Sequence, residues 1–214
     1  MQLVYLHGFA TNPQVWHNQK VDYAPEINFE NMDAESQKLA DQLNRGSILV
    51  GWSMGGMLAL KMAAIAEGNI RALVLVSTTP KFIKSPDFPY GLPLALLRRL
   101  EKRVRIEGTA AFHNLVFKNR RSIGLAHLSW EEVGKEFNQL AQIDLRGLLS
   151  KVSIPTLIIH GDRDEICLPS AAEYMKENIS GSELVMLPGV GHAPMVEVPE
   201  LFNSQLDRFI EKYA

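Results

Sequence analysis

The chain has 214 residues, a length typical of one domain and sufficient to bury roughly 70% of the surface that the unfolded chain exposes. Hydrophobic residues make up 46% and charged residues 21% of the sequence, which excludes the low-apolar, high-charge composition of a disordered chain. The formal net charge of -2 gives no global reason to expect nucleic acid or an acidic membrane surface as a partner.

The sequence also bears on compartment and assembly. Its single cysteine, Cys167, cannot form an intramolecular disulfide, and no signal-peptide pattern precedes the first motif. No apolar run approaches the ~20 residues that a membrane-spanning helix needs. We therefore expect a cytoplasmic protein that binds neither nucleic acid nor membrane, and we expect a monomer.

Five short apolar runs of β type alternate with segments of helix length. The predicted strands are Leu3–Leu6, Ser47–Val50, Ala72–Val76, Thr156–Ile159 and Glu183–Leu187. The predicted helices between and after them are Ala34–Leu43, Met54–Glu67, Ala171–Asn178 and Pro199–Tyr213. Near-continuous apolar strands that alternate with helices predict an α/β fold with a mostly parallel central sheet flanked by helices.

Residues 79–151 interrupt this alternation. The segment opens with a proline-rich stretch and continues as two or three predicted helices with no strand between them. We interpret it as a helical lid inserted over the sheet. The prediction is one domain over residues 1–214, with a core of residues 1–78 and 152–214.

The first chemical signal is a serine in a glycine-rich turn. The strand that begins at Ser47 runs into Gly51-Trp52-Ser53-Met54-Gly55-Gly56, which a run of good helix formers follows. A serine on so sharp a strand-to-helix turn is strained, and small residues two positions before and after it let strand and helix approach. Ser53 is therefore the candidate nucleophile. An incidental serine in a turn is the alternative; a phosphate-binding loop is disfavoured because no Lys-Ser or Lys-Thr pair follows.

A serine hydroxyl needs an imidazole to accept its proton and a carboxylate to orient that imidazole. The predicted strand at 156–159 leads into a loop with three carboxylates, of which Asp164 matches the pattern G-x-x-D. Asp162 and Glu165 remain alternatives, which we interpret as solvated loop charges. His192 follows the last predicted strand in a glycine-containing loop, so it is the candidate general base.

The remaining histidines and the N-terminal turn receive other interpretations. We interpret His17, His113, His127 and His160 as packed or surface residues. The first strand ends in a His-Gly turn at residues 7–8, whose backbone amides could point into the site. We predict that the N–H groups of Phe9 and Met54 form an oxyanion hole and that His7 is structural.

Together these segments, at residues 7–9, 51–56, 161–164 and 191–194, resemble the α/β-hydrolase superfamily over nearly the whole chain. More narrowly, residues 7–16, 51–56 and 191–194 resemble the pimeloyl-acyl-carrier-protein methyl ester carboxylesterases of biotin synthesis. That family cleaves a methyl ester from a pimeloyl chain held by acyl carrier protein. Its chains begin with an additional strand pair that this sequence lacks, so we expect a shortened N-terminal strand region.

The resemblance implies substrate contacts around the turn and in the lid. These are Phe9, Trp52, Phe112, Leu115 and Val116. The family tends to have a polar residue where Val116 stands.

The lid segment is strongly basic. Between Lys81 and Arg121 ten Lys and Arg residues face three Asp and Glu residues, so this stretch carries about +7 and the remainder about -9. Basic helices beside an active site would attract an acidic partner such as acyl carrier protein, although a solvated helix face is the plain alternative. The predicted carrier-binding residues are Arg98, Arg99, Arg103, Arg120 and Arg121.

The sequence thus predicts a serine carboxylesterase that needs no metal or organic cofactor. A general short-chain carboxylesterase or thioesterase would share the same three catalytic residues without a carrier-protein partner. A non-catalytic ligand-binding receptor on the same fold is the alternative of another class. A dehalogenase or epoxide hydrolase is disfavoured, because those enzymes use a carboxylate nucleophile where this chain has Ser53.

Overall fold

The computed structural model of the chain describes residues 1–65, 68–117 and 123–213. Within these ranges five strands form one parallel sheet in the order β1-β2-β3-β4-β5. The strands are β1 Leu3–Leu6, β2 Ser47–Trp52, β3 Ile70–Val76, β4 Thr156–Gly161 and β5 Glu183–Leu187. The predicted α/β class is confirmed, and every pairing between neighbouring strands is parallel.

The central strands are buried on both faces. Every residue of β2 and β4 is buried, and in β3 the sole exposed residue is Arg71. Successive side chains of a strand point to opposite faces, so burial of all of them requires a helical layer on each side. The near-continuous apolar character of these segments therefore follows from their position between two layers.

Helices cover the sheet before and after the lid segment. Asn31 begins the first of them, because its side chain accepts a hydrogen bond from the Ala34 N–H. A short 3-10 helix, Pro13–Trp16, packs against the last helix through the rings of Trp16 and Phe202. The helices of this core are α1 Met32–Ala40, α2 Met54–Ile65, α7 Pro169–Asn178, α8 Pro194–Glu197 and α9 Pro199–Tyr213.

Helices also make up the segment between β3 and β4. They are α3 Leu94–Glu107, α4 Ala110–Phe117, α5 Trp130–Gln142 and the single-turn α6 Arg146–Leu149. Two or three helices were expected, and the additional element is the short α6. No strand interrupts them in the part of this segment that the structure describes. The division into a core and a lid domain segment stays a prediction.

Aromatic side chains join the lid to the core, and Phe9 makes two of these contacts. The Phe9 ring, buried at the end of β1, meets the rings of Phe112 in α4 and Phe137 in α5, with centroid separations of 4.9 and 5.0 Å. Both pairs are edge-to-face, the arrangement that aromatic quadrupoles favour. Phe9 therefore joins the loop after β1 to two lid helices.

Element boundaries differ from the predictions mainly at loop ends. Strands β2 and β4 run two residues further than predicted, to Trp52 and Gly161. Helix α1 begins and ends earlier than the predicted Ala34–Leu43, because its cap is Asn31. The last two residues of the predicted helix Met54–Glu67 lie outside the described ranges.

None of the helices in the described part of the chain has the length and apolar character needed to cross a membrane.

The turn between β2 and α2 permits no side chain at Gly55. A Cβ at this position would collide with the backbone carbonyl oxygens of Leu6 and His7. A Cβ at Gly51 would likewise strike the backbone of Gly55 and Gly56. Gly55 therefore lets the turn that carries Ser53 lie against the end of β1, and Gly51 lets β2 and α2 approach each other.

We predict that Gly55→Ala destabilises the protein by about 3 kcal/mol, because overpacking must displace backbone rather than a flexible side chain. The midpoint of thermal unfolding should fall by on the order of 10 °C. Gly147→Ala in α6 is the matched control, since a Cβ there meets nothing within 4 Å. Equal melting temperatures for the two variants would contradict the predicted close approach.

Candidate active site

The turn between β2 and α2 presents Ser53 in a strained conformation. Its φ is 55°, in the left-handed region that a non-glycine residue rarely adopts. Two hydrogen bonds hold this backbone: the Ser53 N–H donates to the Val76 carbonyl at 2.9 Å, and the Thr78 hydroxyl donates to the Ser53 carbonyl at 2.7 Å. The end of β3 thus supports the turn from which the serine side chain projects.

His192 lies between Ser53 and Asp164. Its Nε2 is 3.0 Å from the Ser53 Oγ, and its Nδ1 is 2.8 Å from the Asp164 Oδ2. An ionised carboxylate only accepts hydrogen bonds, so Nδ1 carries the hydrogen and Nε2 is left to accept the serine proton. The structure therefore brings the three predicted residues together in the order that nucleophilic catalysis requires.

Asp164 is fully enclosed and bonded on both oxygens. Its Oδ1 accepts the backbone N–H groups of Ile166 at 2.9 Å and Cys167 at 3.0 Å, while Oδ2 faces His192 and His160. Burial acts to raise the pKa of Asp164, but the two histidines outweigh it and hold the pKa well below its usual range. The carboxylate therefore remains ionised beside His192.

The other two carboxylates of this loop point elsewhere. Asp162 is exposed and accepts the N–H of Gly189 at 2.7 Å, which links the two loops that follow β4 and β5. Glu165 is exposed at the edge of a groove under α3. Neither carboxylate has a contact with His192. Of the three carboxylates that the sequence left as alternatives, Asp164 is the one that faces this histidine.

Two residues without a predicted catalytic role hold the backbone around His192. The Glu197 carboxylate accepts the N–H of Gly191 at 3.1 Å and the N–H of Ala193 at 3.2 Å. The Trp52 indole N–H donates to the His192 carbonyl at 2.7 Å. The loop that carries the candidate base is therefore fixed on both sides. No motif in the sequence singled out Glu197, which follows His192 by five residues.

The predicted oxyanion donors lie on either side of Ser53. The His-Gly turn lies directly beside it, since a Cβ at Gly8 would stand 3.1 Å from the Ser53 Cβ. Met54 is the first residue of α2, so its N–H has no acceptor within the helix. In the described ranges neither the Phe9 N–H nor the Met54 N–H has a hydrogen-bond acceptor. Both remain available to a developing oxyanion, and their role stays a prediction.

The predicted substrate contacts fall into different environments. Trp52 is buried, with its ring 5.5 Å from the His192 ring. Phe112 packs on Phe9, and Val116 is buried. Leu115 is 38% exposed and lines the groove under α3. Of the three lid positions, Leu115 alone therefore contributes to that groove.

The groove lies between the lid and the loop after β4. It encloses about 530 Å³, and its lining is mainly apolar with charged side chains at the edge. Leu100, Leu115 and Ile166 contribute to the apolar part, and Ile166 is also a neighbour of Asp164 in the loop. The charged residues that line it are Arg99, Arg103, Glu107 and Glu165.

The predicted carrier-binding arginines differ in their partners. Arg98 pairs with Glu101 at 2.8 Å, and Arg103 pairs with Glu107 at 3.1 Å. No ion pair of Arg99 occurs among the described residues. Arg120 and Arg121 lie outside the described residues.

His7 has a structural environment. Its Nδ1 lies 3.0 Å from the Gly8 carbonyl and its Nε2 accepts the Ile27 N–H at 3.2 Å, so the ring is neutral with the hydrogen on Nδ1. Burial lowers the pKa of His7 to about 4, against the smaller opposing effect of the bond to Gly8. The ring thereby joins the turn that carries the Phe9 amide to the segment around Ile27.

Residues 1–65, 68–117 and 123–213 contain no group of three or more His, Cys, Asp or Glu side chains arranged to hold a metal ion.

Comparison with known proteins places the chain in a family. The model of the alpha/beta hydrolase family matches residues 3–205. A pimeloyl-[acyl-carrier protein] methyl ester esterase from Nitrosomonas europaea is 29% identical over 96% of this chain and 94% of its own. One from Nitrosospira multiformis is 27% identical over 97% of this chain and 93% of its own. The structure of an esterase from Exiguobacterium antarcticum superposes with a TM-score of 0.84 and 25% identity, covering 99% of this chain and 92% of that one.

We predict that His7 makes stability depend on pH. The folded state keeps the ring neutral, with a pKa of about 4 against about 6.5 unfolded, so the unfolded state binds more protons between these values. The stabilisation of the folded state by neutral His7 is about 3 kcal/mol and fully present above pH 6.5. It is lost as the pH falls towards 4. Urea unfolding of the wild type and of His7→Asn measures it.

In this test His7→Asn keeps a donor for Gly8 but cannot titrate. Its free energy of unfolding should therefore fall less steeply than that of the wild type between pH 6.5 and 4. Parallel pH dependences would contradict the neutral, buried state of His7.

Proposed function

The chain belongs to the alpha/beta hydrolase family, and on that premise we propose that it is a serine carboxylesterase acting on the methyl ester of pimeloyl-acyl-carrier protein in biotin synthesis. The observation that carries the catalytic part is the hydrogen-bonded series Ser53–His192–Asp164, with separations of 3.0 and 2.8 Å. The proposed roles are nucleophile, general base and orienting acid.

In the first half-reaction Ser53 Oγ attacks the ester carbonyl carbon while its proton moves to His192 Nε2. The developing oxyanion accepts hydrogen bonds from the Phe9 and Met54 N–H groups, at the positive end of α2. The tetrahedral intermediate collapses as its bond to the alkoxy oxygen breaks. That oxygen takes the proton from His192 and leaves as methanol, with the acyl group on Ser53.

In the second half-reaction water replaces the alcohol. His192 accepts a proton from the water as its oxygen attacks the acyl-serine carbonyl, and the same two N–H groups hold the oxyanion. Collapse breaks the bond to Ser53 Oγ, which recovers its proton from His192. The product is a free carboxylic acid, and the residues return to their starting protonation states.

The buried Asp164 makes the protonated histidine possible. Each half-reaction passes through a charged imidazolium, which would be costly in a buried site without a negative neighbour. Asp164 remains ionised because four N–H groups face its two oxygens. Glu197 and Trp52 hold the loop, so that His192 keeps its position while it gains and loses a proton.

Three features support a carrier-bound acyl substrate. Relatives along nearly the full length are named as pimeloyl-[acyl-carrier protein] methyl ester esterases. The apolar groove under α3 has the volume to hold an acyl chain, and Ile166, two residues after Asp164, contributes to its lining. Arg99 lies at this groove without an ion pair in the described residues, so it is available to an acidic partner.

A general short-chain carboxylesterase or thioesterase is the second candidate. It is favoured by the likeness to the Exiguobacterium antarcticum esterase, which has the same fold and comparable identity. The same three residues would perform the same chemistry on a small ester. The two candidates differ in whether the basic lid contributes to substrate binding.

We predict that Ser53→Ala lowers turnover of a nitrophenyl ester by at least about 10⁴-fold, because the nucleophile is lost. Alanine keeps the Cβ, so the melting temperature should stay close to that of the wild type. Turnover is followed by release of nitrophenol. Undiminished turnover by a folded variant would exclude Ser53 as the nucleophile.

We further predict that Arg99→Glu lowers kcat/KM for pimeloyl-carrier-protein methyl ester by about tenfold while leaving a free methyl ester unaffected. Higher salt should weaken the carrier-bound reaction of the wild type in the same selective way. Arg45→Glu is the matched control: it changes the net charge equally, but it precedes β2, about 20 Å from the strand end that carries Ser53.

Equal effects of the two charge reversals, or equal salt responses of the carrier-bound and free esters, would exclude docking at the lid. The activity on free esters would then favour the general esterase.

A further inference from the structure

We infer that His160 is a positioning residue for the proposed reaction, holding the Asp164 carboxylate so that its Oδ2 faces His192. The inference rests on the proposed function, since it assigns a second histidine to the acid of that site. By sequence alone, His160 does not differ from the other histidines that we interpret as packed or surface residues.

His160 lies at a point where a strand can fix the acid loop. It is the fifth residue of β4, and its side chain is fully buried. Its Nε2 is 2.7 Å from the Cys167 carbonyl and 3.3 Å from the Asp164 Oδ2. The Nε2 of His160 therefore faces both the Asp164 carboxylate and the carbonyl of Cys167, three residues after Asp164.

The partners of the ring determine its tautomer. The Cys167 carbonyl and the Asp164 carboxylate only accept hydrogen bonds, so Nε2 carries a hydrogen. Nδ1 is buried and has no hydrogen-bond partner among the described residues. A hydrogen on Nδ1 would be a buried donor without an acceptor, which is costly. The ring is therefore the neutral Nε2–H tautomer.

This arrangement fixes the rotation of the Asp164 carboxylate. The N–H groups of Ile166 and Cys167 hold Oδ1, but both belong to the same loop as Asp164. His192, on Oδ2, belongs to another loop and changes protonation during turnover. His160 is the neighbour of this carboxylate that a sheet strand carries: its Nε2–H donates to the Cys167 carbonyl at 2.7 Å, and the same nitrogen lies 3.3 Å from Oδ2. It keeps Oδ2 in place while His192 gains and loses its proton.

His160 also affects how strongly the acid and base bind a proton. The titratable groups that face the Asp164 carboxyl are His192, His160 and Cys167. A hydrogen bond to the ionised form of a carboxyl favours that form. Without the contact from His160, the pKa of Asp164 should rise, and the pH–rate profile reports this change through the coupled Asp164–His192 pair.

Two substitutions at one position test the inference. Glutamine can place an N–H where the histidine Nε2–H lies, whereas asparagine is one bond shorter and cannot reach Asp164. With a nitrophenyl ester, His160→Asn should lower kcat by about tenfold or more with KM unchanged, because the ester does not contact residue 160. The acid limb of its kcat/KM profile should move to higher pH by about half a unit. His160→Gln should retain most of the kcat and the wild-type limb.

The histidine tautomer provides a measurement without substitution. In the wild-type protein with ¹⁵N-labelled histidine, the His160 resonances should be those of a neutral ring with hydrogen on Nε2 only. A ring protonated on Nδ1 would overturn the inference. Because this measurement uses the wild-type protein, it tests the inference even if His160→Asn fails to fold.

The remaining outcomes are equally decisive. The inference is overturned if His160→Asn keeps the wild-type kcat and the wild-type acid limb of the kcat/KM profile. It is also overturned if both variants lose kcat equally while the acid limb does not move, because His160 would then have only a packing role. Failure of the proposed function has a different result. In that case a folded Ser53→Ala variant would keep its turnover, whatever the His160 variants do.

Discussion

The structure depends on keeping one negative charge buried. Asp164 lies within the protein, where an unpaired carboxylate would cost many times the stability that a domain can spare. Four N–H groups meet its two oxygens, two from its own loop and two from histidines. The same interaction that makes the burial tolerable aligns His192, and through it Ser53, so stability and reactivity share one set of contacts.

Around that charge, backbone groups carry much of the geometry. Ser53 is held in a left-handed conformation by bonds to the end of β3, and glycines at 51 and 55 let the turn lie against β1. The His192 loop is bound at its N–H groups by Glu197 and at its carbonyl by Trp52. Each of these bonds restricts a segment that would otherwise be a surface loop, which is how reactive side chains reach fixed separations.

The lid differs from the core in its chemistry. Its contacts with the core include the aromatic pairs of Phe9 and the hydrogen bond between His113 Nε2 and the Ala10 carbonyl, while its outer helix α3 is highly charged. Much of that charge is balanced within the helix, since Glu101 meets both Arg98 and Arg105. The ion pairs of the partly buried Glu101 therefore balance part of the basic charge of α3.

Much of the architecture and the location of the site follow from the sequence alone. Strands buried on both faces must be apolar throughout, and the motifs that follow β2, β4 and β5 in the order Ser, Asp, His marked the candidate catalytic residues. That reasoning led to Ser53, the loop with Asp164, and His192. The sequence pattern favoured Asp164 but left Asp162 and Glu165 as alternatives, because neighbouring carboxylates in one loop differ only in the direction in which their side chains point. It could not identify Glu197, Trp52 or His160, whose contacts depend on side-chain orientation and on loops meeting in space. Local pattern determined which strand ends carry the chemistry, and only tertiary packing decided which atoms touch, because hydrogen bonds require ångström placement that periodicity does not encode.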